Sequence, residues 1–393
     1  MIGSLSTPCG ILRLPAFFPD ATRAVIRSLD SKDVEDCGIE GVVVNTFHLL
    51  SKPGVRVISS QGGIHKFMNW RGHIISDSGG FQLFSLLANS SKPLMRGAST
   101  PHSRRPEFGT VSKKGFVYRL NKGEDKKILT PEKCIQKQFQ FASDIMVCLD
   151  YCTHPADSYD KQKEGVEYTV LWAGKCRSVF DKLLCEKEIP AYAGTSSERP
   201  LLFAVVQGGS HFDLRRECAE RLIEMGFDGY GYGGWPIVEG NQLADTLELV
   251  SQILPTSKPK YALGIGKPEN IVKCVNMGYD LFDCVIPTRD ARHRRLYVFS
   301  EKPESSPLSG SDFYKYLYLQ DKKHINDKRP LEEDCDCLCC RSGYSRAYLY
   351  HLFQIEDALA YRLATIHNLR FYARLMEAIR RQATSRRLYN ESR

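Results

Sequence analysis

A series of short apolar runs, each ending in a polar or glycine residue, does most to limit what this chain can fold into. The runs are LPAFFPD at 14–20, GVVVNT at 41–46, HIISDSGG at 73–80 and DIMVCLD at 144–150, followed by LLFAVVQGG at 201–209, DGYGYGG at 228–234, KYALGIG at 260–266 and LFDCVIP at 281–287. Near-continuous apolar character marks strands buried on both faces, and intervening segments such as DLRRECAERLIEMG and NQLADTLELVSQIL carry helical spacing. Eight such units predict an α/β chain whose parallel strands close as a (β/α)8 TIM barrel rather than an open doubly wound sheet. Barrel chemistry collects where strands end, and those ends read Asn45, Asp77, Asp150, Gln207, Gly233-Gly234, Gly264 and Asp283. Three acids and two amides at one mouth are costly to bury unpaired, which favours a polar ligand over a satisfied core.

The chain has 393 residues, 42% of them hydrophobic, enough for one large barrel with an appendage and unlike a disordered or fibrous composition. No apolar run approaches the roughly 20 residues that span a bilayer, and the start MIGSLSTPCGILRLPAFFP lacks a signal-type core. A soluble, cytoplasmic protein without a membrane partner is expected. Most of the cysteines stand singly in apolar segments, as at Cys148, Cys176 and Cys218, where a reduced thiol packs as a small hydrophobe. The net charge of +8 is nearly all local: from Lys92 to Lys127, ten Lys and Arg face three acids. That segment reads either as a solvated loop or as a phosphate-contacting flap.

The remaining cysteines cluster in CDCLCCRSGYSRAYLYHLF. Cys335, Cys337 and Cys340 form a C-x-C-x-x-C hairpin, and a histidine on a following helix would close a tetrahedral Cys3His zinc site. Spacing alone leaves Cys339 competing with Cys340 and His351 with His367. Four protein ligands leave no open position, so such a zinc is a structural staple.

DSGGFQ at 77–82, VQGG at 206–209, FDCVIPTR at 282–289 and CDCLCCRSGYSRAYLYHLF…TIHNLRFY at 335–372 together resemble the tRNA-guanine transglycosylases, the queuine tRNA-ribosyltransferases, of the bacterial type. The resemblance runs from TPCGILRLPAFFPDATRA to about Met376. It implies a zinc-containing barrel that replaces the wobble guanine of GUN-anticodon tRNAs with a 7-deazaguanine base. Asp283 is implied as the nucleophile that attacks C1′ of the ribose, and Asp77 as the general acid and base. Asp150 would face the guanine donors, with Gln207 and the Gly233-Gly234 backbone opposite O6. Phe81 would stack on the base and Asn45 would help hold the ribose. Arg289 and Arg292, just after the nucleophile, are candidates for tRNA phosphate contacts. The resemblance also implies Cys335, Cys337, Cys340 and His367 as the zinc ligands, one zinc per chain. The expected organisation is a catalytic barrel over 1–300 with a basic insertion at about 91–127, a zinc-binding subdomain over 301–380 that completes the barrel, and a basic tail over 381–393. The partners expected are tRNA, the free 7-deazaguanine base and a second copy in a homodimer.

One motif departs from the family. Bacterial members usually carry a GGLAVGE-like loop after the sixth strand, and this chain has Gly233-Gly234-Trp235-Pro236-Ile237-Val238-Glu239. Pro236 removes an N–H, Trp235 adds bulk and Val238 replaces a glycine, so the half of the pocket facing the base's substituent is expected to differ. An opening there suits queuine over 7-aminomethyl-7-deazaguanine, and Glu239 could pair with the ammonium that both bases carry. The segment from Ser91 to Lys127 is also longer than usual. Rival readings are a non-catalytic tRNA-binding subunit, a barrel glycoside hydrolase and an archaeosine-type enzyme. Asp77 and Asp283 argue against the first, the zinc module and the Asp150/Gln207 pair against the second, and the lack of a further RNA-binding domain after the zinc module against the third.

Overall fold

The structure, a computed structural model, describes residues 2–87, 107–121, 123–186, 199–238, 242–303, 306 and 308–391, with side chains described as far as 384. A hairpin of β1 (Ser4–Thr7) and β2 (Gly10–Arg13) precedes the barrel. The barrel strands are β3 (Ala16–Pro19), β4 (Gly41–Asn45) and β5 (His73–Asp77). An antiparallel sheet of β6 (Gly109–Ser112), β7 (Gly115–Tyr118) and β8 (Lys127–Leu129) interrupts the series. It resumes with β9 (Ile145–Val147), β10 (Leu201–Val206), β11 (Gly229–Tyr232), β12 (Lys260–Ala262) and β13 (Leu281–Cys284). All eight runs read from the sequence are strands, ordered β3-β13-β12-β11-β10-β9-β5-β4. The ring closes through a parallel bridge between Asp20 and Val43, where Ala21 N–H donates to Val43 O at 2.8 Å.

The barrel interior is filled by Phe18, Val43, Ile75, Ile145, Val147, Phe203, Val205 and Leu281, with Leu12 and Leu14 of the hairpin plugging its N-terminal end. Each such side chain contributes about 1.5–3 kcal/mol on burial. Close packing needs glycines across from the largest of them: a Cβ on Gly229 would stand 2.4 Å from the Phe203 ring, and one on Gly41 would stand 2.1 Å from Phe18. Outside the ring, helices such as Phe212–Met225 turn Leu214, Cys218 and Leu222 inward.

After the barrel, β14 (Arg295–Phe299) pairs antiparallel with β15 (Tyr314–Tyr318). A short helix, Leu338–Arg341, and the helices Arg346–Gln354 and Ala358–Glu391 follow. The last packs against β3, β14 and the helix Ile286–Arg292 that follows β13. It runs without a break through 381–391, the stretch expected as a tail. Of the basic segment, 91–106 and 122 lie outside the described residues, and the rest contributes to the β6–β8 sheet and its turns. Among the described residues no helix is long and apolar enough to cross a membrane.

Candidate active site and metal centre

Each strand ends by handing a side chain to the mouth. In register, Asn45 of β4 stands beside Asp77 of β5, and Asn45 Nδ2 donates to Asp77 Oδ2 at 2.5 Å. Asn45 is held because its Oδ1 also caps the next helix, accepting from His48 N–H at 3.2 Å. Gly79, at φ +86°, turns the chain so that its N–H reaches Asp77. At the end of β13, Asp283 Oδ1 accepts from Gly264 N–H at 3.0 Å, and the Tyr261 hydroxyl donates to the same carboxylate. Asp150, beyond β9, is buried, with Gln207 Nε2 donating to its Oδ2 at 2.6 Å and Ser78 Oγ to its Oδ1 at 3.4 Å. That fit requires Gly80, since a Cβ there would stand 2.7 Å from Asp150 O.

The three acids do not titrate like surface carboxylates. Burial, then the charges of Asp150 and Asp283, push Asp77 up to about 7. Burial pushes Asp283 up to about 6 against the Gly264 and Tyr261 hydrogen bonds. Burial likewise raises Asp150 to about 6, opposed by Gln207. Desolvation dominates all three, and mutual repulsion lifts Asp77 furthest.

Gln207 and the next strand end are clamped by a single buried cation. Arg215 donates to Val206 O at 2.6 Å, Gly209 O at 2.9 Å and Gly233 O at 3.0 Å, and its guanidinium lies 4.0 Å over the Tyr232 ring. Gly234 follows at φ +84°, where an L side chain is strained. Trp235 then donates Nε1–H to Thr153 O at 3.1 Å and sets its ring edge-on to Phe81, 5.8 Å away, and to His154, 5.7 Å away. The loop returns through an Ile237–Leu243 bridge and an Ala244 N–H to Pro236 O bond of 3.0 Å. Glu239 lies outside the described residues.

Arg292 is anchored through Nη1 to Thr288 O at 2.9 Å. Burial, then the positive charge of Arg27, lower its pKa, while Arg289 lies 3.8 Å from Asp290. Several residues were missed in sequence. Asp20 ends the first run, and its charge bears on Asp283; its place in LPAFFPD was the available signal. Tyr261 reads as core, Arg215 as one more charge on a helix, and Arg27 as loop.

The Cys3His cluster lies apart from this mouth. Ligand atoms of Cys335, Cys337, Cys340 and His367 all fall within 4.8 Å of one another. His367 Nδ1 is 3.7, 3.7 and 3.5 Å from the three sulfurs, and a tetrahedral zinc with ordinary bond lengths requires about 3.6 Å. Tyr297 O accepts from His367 Nε2 at 2.8 Å, which leaves Nδ1 as the ligand. Cys337 caps the helix Leu338–Arg341, a turn that brings Cys340 back to it and sends Cys339 into the core. His351 is exposed.

An eight-stranded parallel barrel with an acidic mouth and a Cys3His cluster defines a barrel enzyme with a closed set of four side chains able to hold a metal ion. The family model described as queuine tRNA-ribosyltransferase matches residues 1–391. Relatives named queuine tRNA-ribosyltransferase include those of Thermoanaerobacter pseudethanolicus, 38% identical over 98% of this chain and 91% of the relative, and of Psychrobacter sp., 36% identical over 96% and 88%. The chain belongs to the queuine tRNA-ribosyltransferase family.

Proposed function

We propose that the chain exchanges the wobble guanine of GUN-anticodon tRNAs for a 7-deazaguanine base through a covalent aspartyl-ribose intermediate. The observation that carries this reading is a carboxylate pair with different environments at one barrel mouth, Asp77 ending β5 and Asp283 ending β13, with β3 and β4 between them in the ring. Asp77, raised furthest, is the more readily protonated of the two near neutral pH and can deliver a proton to the departing guanine, while Asp283, kept more acidic by two donors, is the more readily ionised and can attack C1′. Two successive displacements from opposite faces of C1′, each inverting it, retain configuration overall. Asp150 would accept from guanine N1–H and N2–H, and the second N–H of Gln207 Nε2 would reach O6. Phe81, braced by Trp235, supplies the stacking face. Asn45 would hold the ribose.

In this reading the barrel over 1–300 carries the chemistry, and 301–380 supplies a structural Zn2+ held by Cys335, Cys337, Cys340 and His367. Arg289, Arg292 and the exposed Lys113, Lys114, Lys126 and Lys127 would meet tRNA phosphates. The exposed Ile325, Tyr348 and Ile355 are apolar surface that a homodimer could cover.

The pH profile follows from the same two groups. The nucleophile must be ionised and the acid protonated, so kcat/KM should fall below about 6 and again above about 7. Asp77→Asn should remove the alkaline limb. A profile flat from pH 5 to 9 would contradict the assignment.

For the incoming base, Trp235 held against Thr153 gives the substituent side a rigid aromatic wall instead of a small-residue loop. Queuine should therefore have a higher kcat/KM than 7-aminomethyl-7-deazaguanine. Trp235→Leu should lower the queuine value about tenfold, the scale of one aromatic contact. Incorporation of radiolabelled guanine, queuine and the aminomethyl base into a GUN-anticodon tRNA tests both reaction and base, and a clear preference for the precursor would refute the base choice.

A further inference from the structure

We propose that Cys9, His73 and Asp144 form a second metal site at the N-terminal end of the barrel, opposite the acidic mouth, suited to a borderline-soft divalent cation such as Zn2+. The three come from separate elements: Cys9 from the turn between β1 and β2, His73 from the first position of β5, and Asp144 from the residue before β9. One ligand atom of each lies within 4.8 Å of the other two. The local structure holds them there. Thr7 Oγ1 is 2.9 Å from His73 Nδ1 and accepts from Cys9 N–H at 3.2 Å, tying the hairpin turn to β5.

The second observation is an unsatisfied oxygen. Asp144 is fully buried. Its Oδ2 accepts from Ile74 N–H at 2.7 Å and lies 3.0 Å from His65 Nε2, but its Oδ1 has no hydrogen-bond partner among the described residues. A buried carboxylate oxygen left bare costs about 1–3 kcal/mol or more, and His65 answers only the other oxygen. A cation among a thiol, an imidazole and this carboxylate would supply the missing partner.

The donor chemistry suits that role. The Cys9 thiol bonds Arg71 O at 2.9 Å. Binding breaks the Sγ–H bond, releases that proton to solvent and forms the metal–sulfur bond. The thiolate and Asp144 then neutralise the divalent charge. Sulfur, nitrogen and oxygen donors together select zinc over calcium or magnesium, and three protein ligands leave a fourth position to water, on the side of Cys9, the partly exposed member. Such an ion would staple the hairpin that plugs the barrel to β5 and β9. It is remote from Asp77 and Asp283 and independent of the proposed chemistry.

The test uses the full chain with its Cys3His site zinc-loaded, titrated with Co2+. Wild type should take up about one further equivalent, with thiolate-to-cobalt charge-transfer absorption in the near ultraviolet. Cys9→Ser and His73→Gln should each lose that absorption while base exchange continues. Absorption that persists unchanged in Cys9→Ser belongs to the Cys3His site and overturns the proposal, as does wild type binding no more cobalt than Cys9→Ser. A variant-free measurement gives the same decision: added Zn2+ should slow iodoacetamide alkylation of Cys9, read by mass spectrometry, by about tenfold or more. An unchanged alkylation rate overturns it.

Discussion

Asp283→Asn is expected to lower base exchange by on the order of 10⁴-fold or more, with folding intact and tRNA still bound. The side chain keeps its shape, so Gly264 N–H and the Tyr261 hydroxyl still have an oxygen to meet. What disappears is the proposed nucleophile, because a neutral amide does not displace guanine from C1′. Wild type mixed with a GUN-anticodon tRNA should give an adduct that survives denaturing electrophoresis, and the variant should give none. Replacing a buried ionisable group by a neutral one also has a stability sign. With a folded pKa near 6, above the unfolded carboxylate value, the native state binds more protons than the unfolded chain between about pH 4 and 6. Wild type therefore loses stability as pH rises through that window, and the variant loses less. A variant that turned over at the wild-type rate would remove Asp283 from the chemistry and leave Asp20 and Asp150 to be tested as the attacking acid.

The eight strands were legible because burial on both faces forces near-continuous apolar runs, and their polar ends were legible because a strand stops where the core stops. Asn45, Asp77, Asp150, Gln207 and Asp283 could all be read off in this way. Asp20 escaped because the first strand is short and its acid follows a proline, which reads as loop. Tyr261 and Arg215 escaped for a different reason. A tyrosine in an apolar run reads as core until its hydroxyl finds Asp283. An arginine on an amphipathic helix reads as solvent-facing until three carbonyls close around it. The β6–β8 sheet was hidden by its lysine-rich turns, which dominate the composition of that stretch. Choosing between Cys339 and Cys340 needed the helical turn that starts at Cys337, a three-dimensional fact that cysteine spacing does not carry.

Removing one ligand of the Cys3His cluster should have effects reaching the active site. His367→Ala is expected to release about one zinc per chain, lower the melting temperature sharply and reduce exchange, whereas His351→Ala should change none of these. The physical chain is short. His367 sits on the helix Ala358–Glu391, and its Nε2–H bonds Tyr297 O in β14. The next residue, Asn368, accepts from Tyr297 N–H at 3.1 Å and donates Nδ2–H to Pro287 O at 2.9 Å, in the helix directly after Asp283. One turn on, Tyr372 bonds Gly266 O, two residues after the Gly264 that donates to Asp283. A metal that fixes His367 would therefore fix the outer support of both segments that hold Asp283. Zinc binding supplies about 10–16 kcal/mol in small zinc-folded peptides, so losing even part of it is large against a domain's ordinary margin of stability. Metal analysis and thermal unfolding of the two variants decide the matter, and zinc retained by His367→Ala but released by His351→Ala would reverse the ligand assignment.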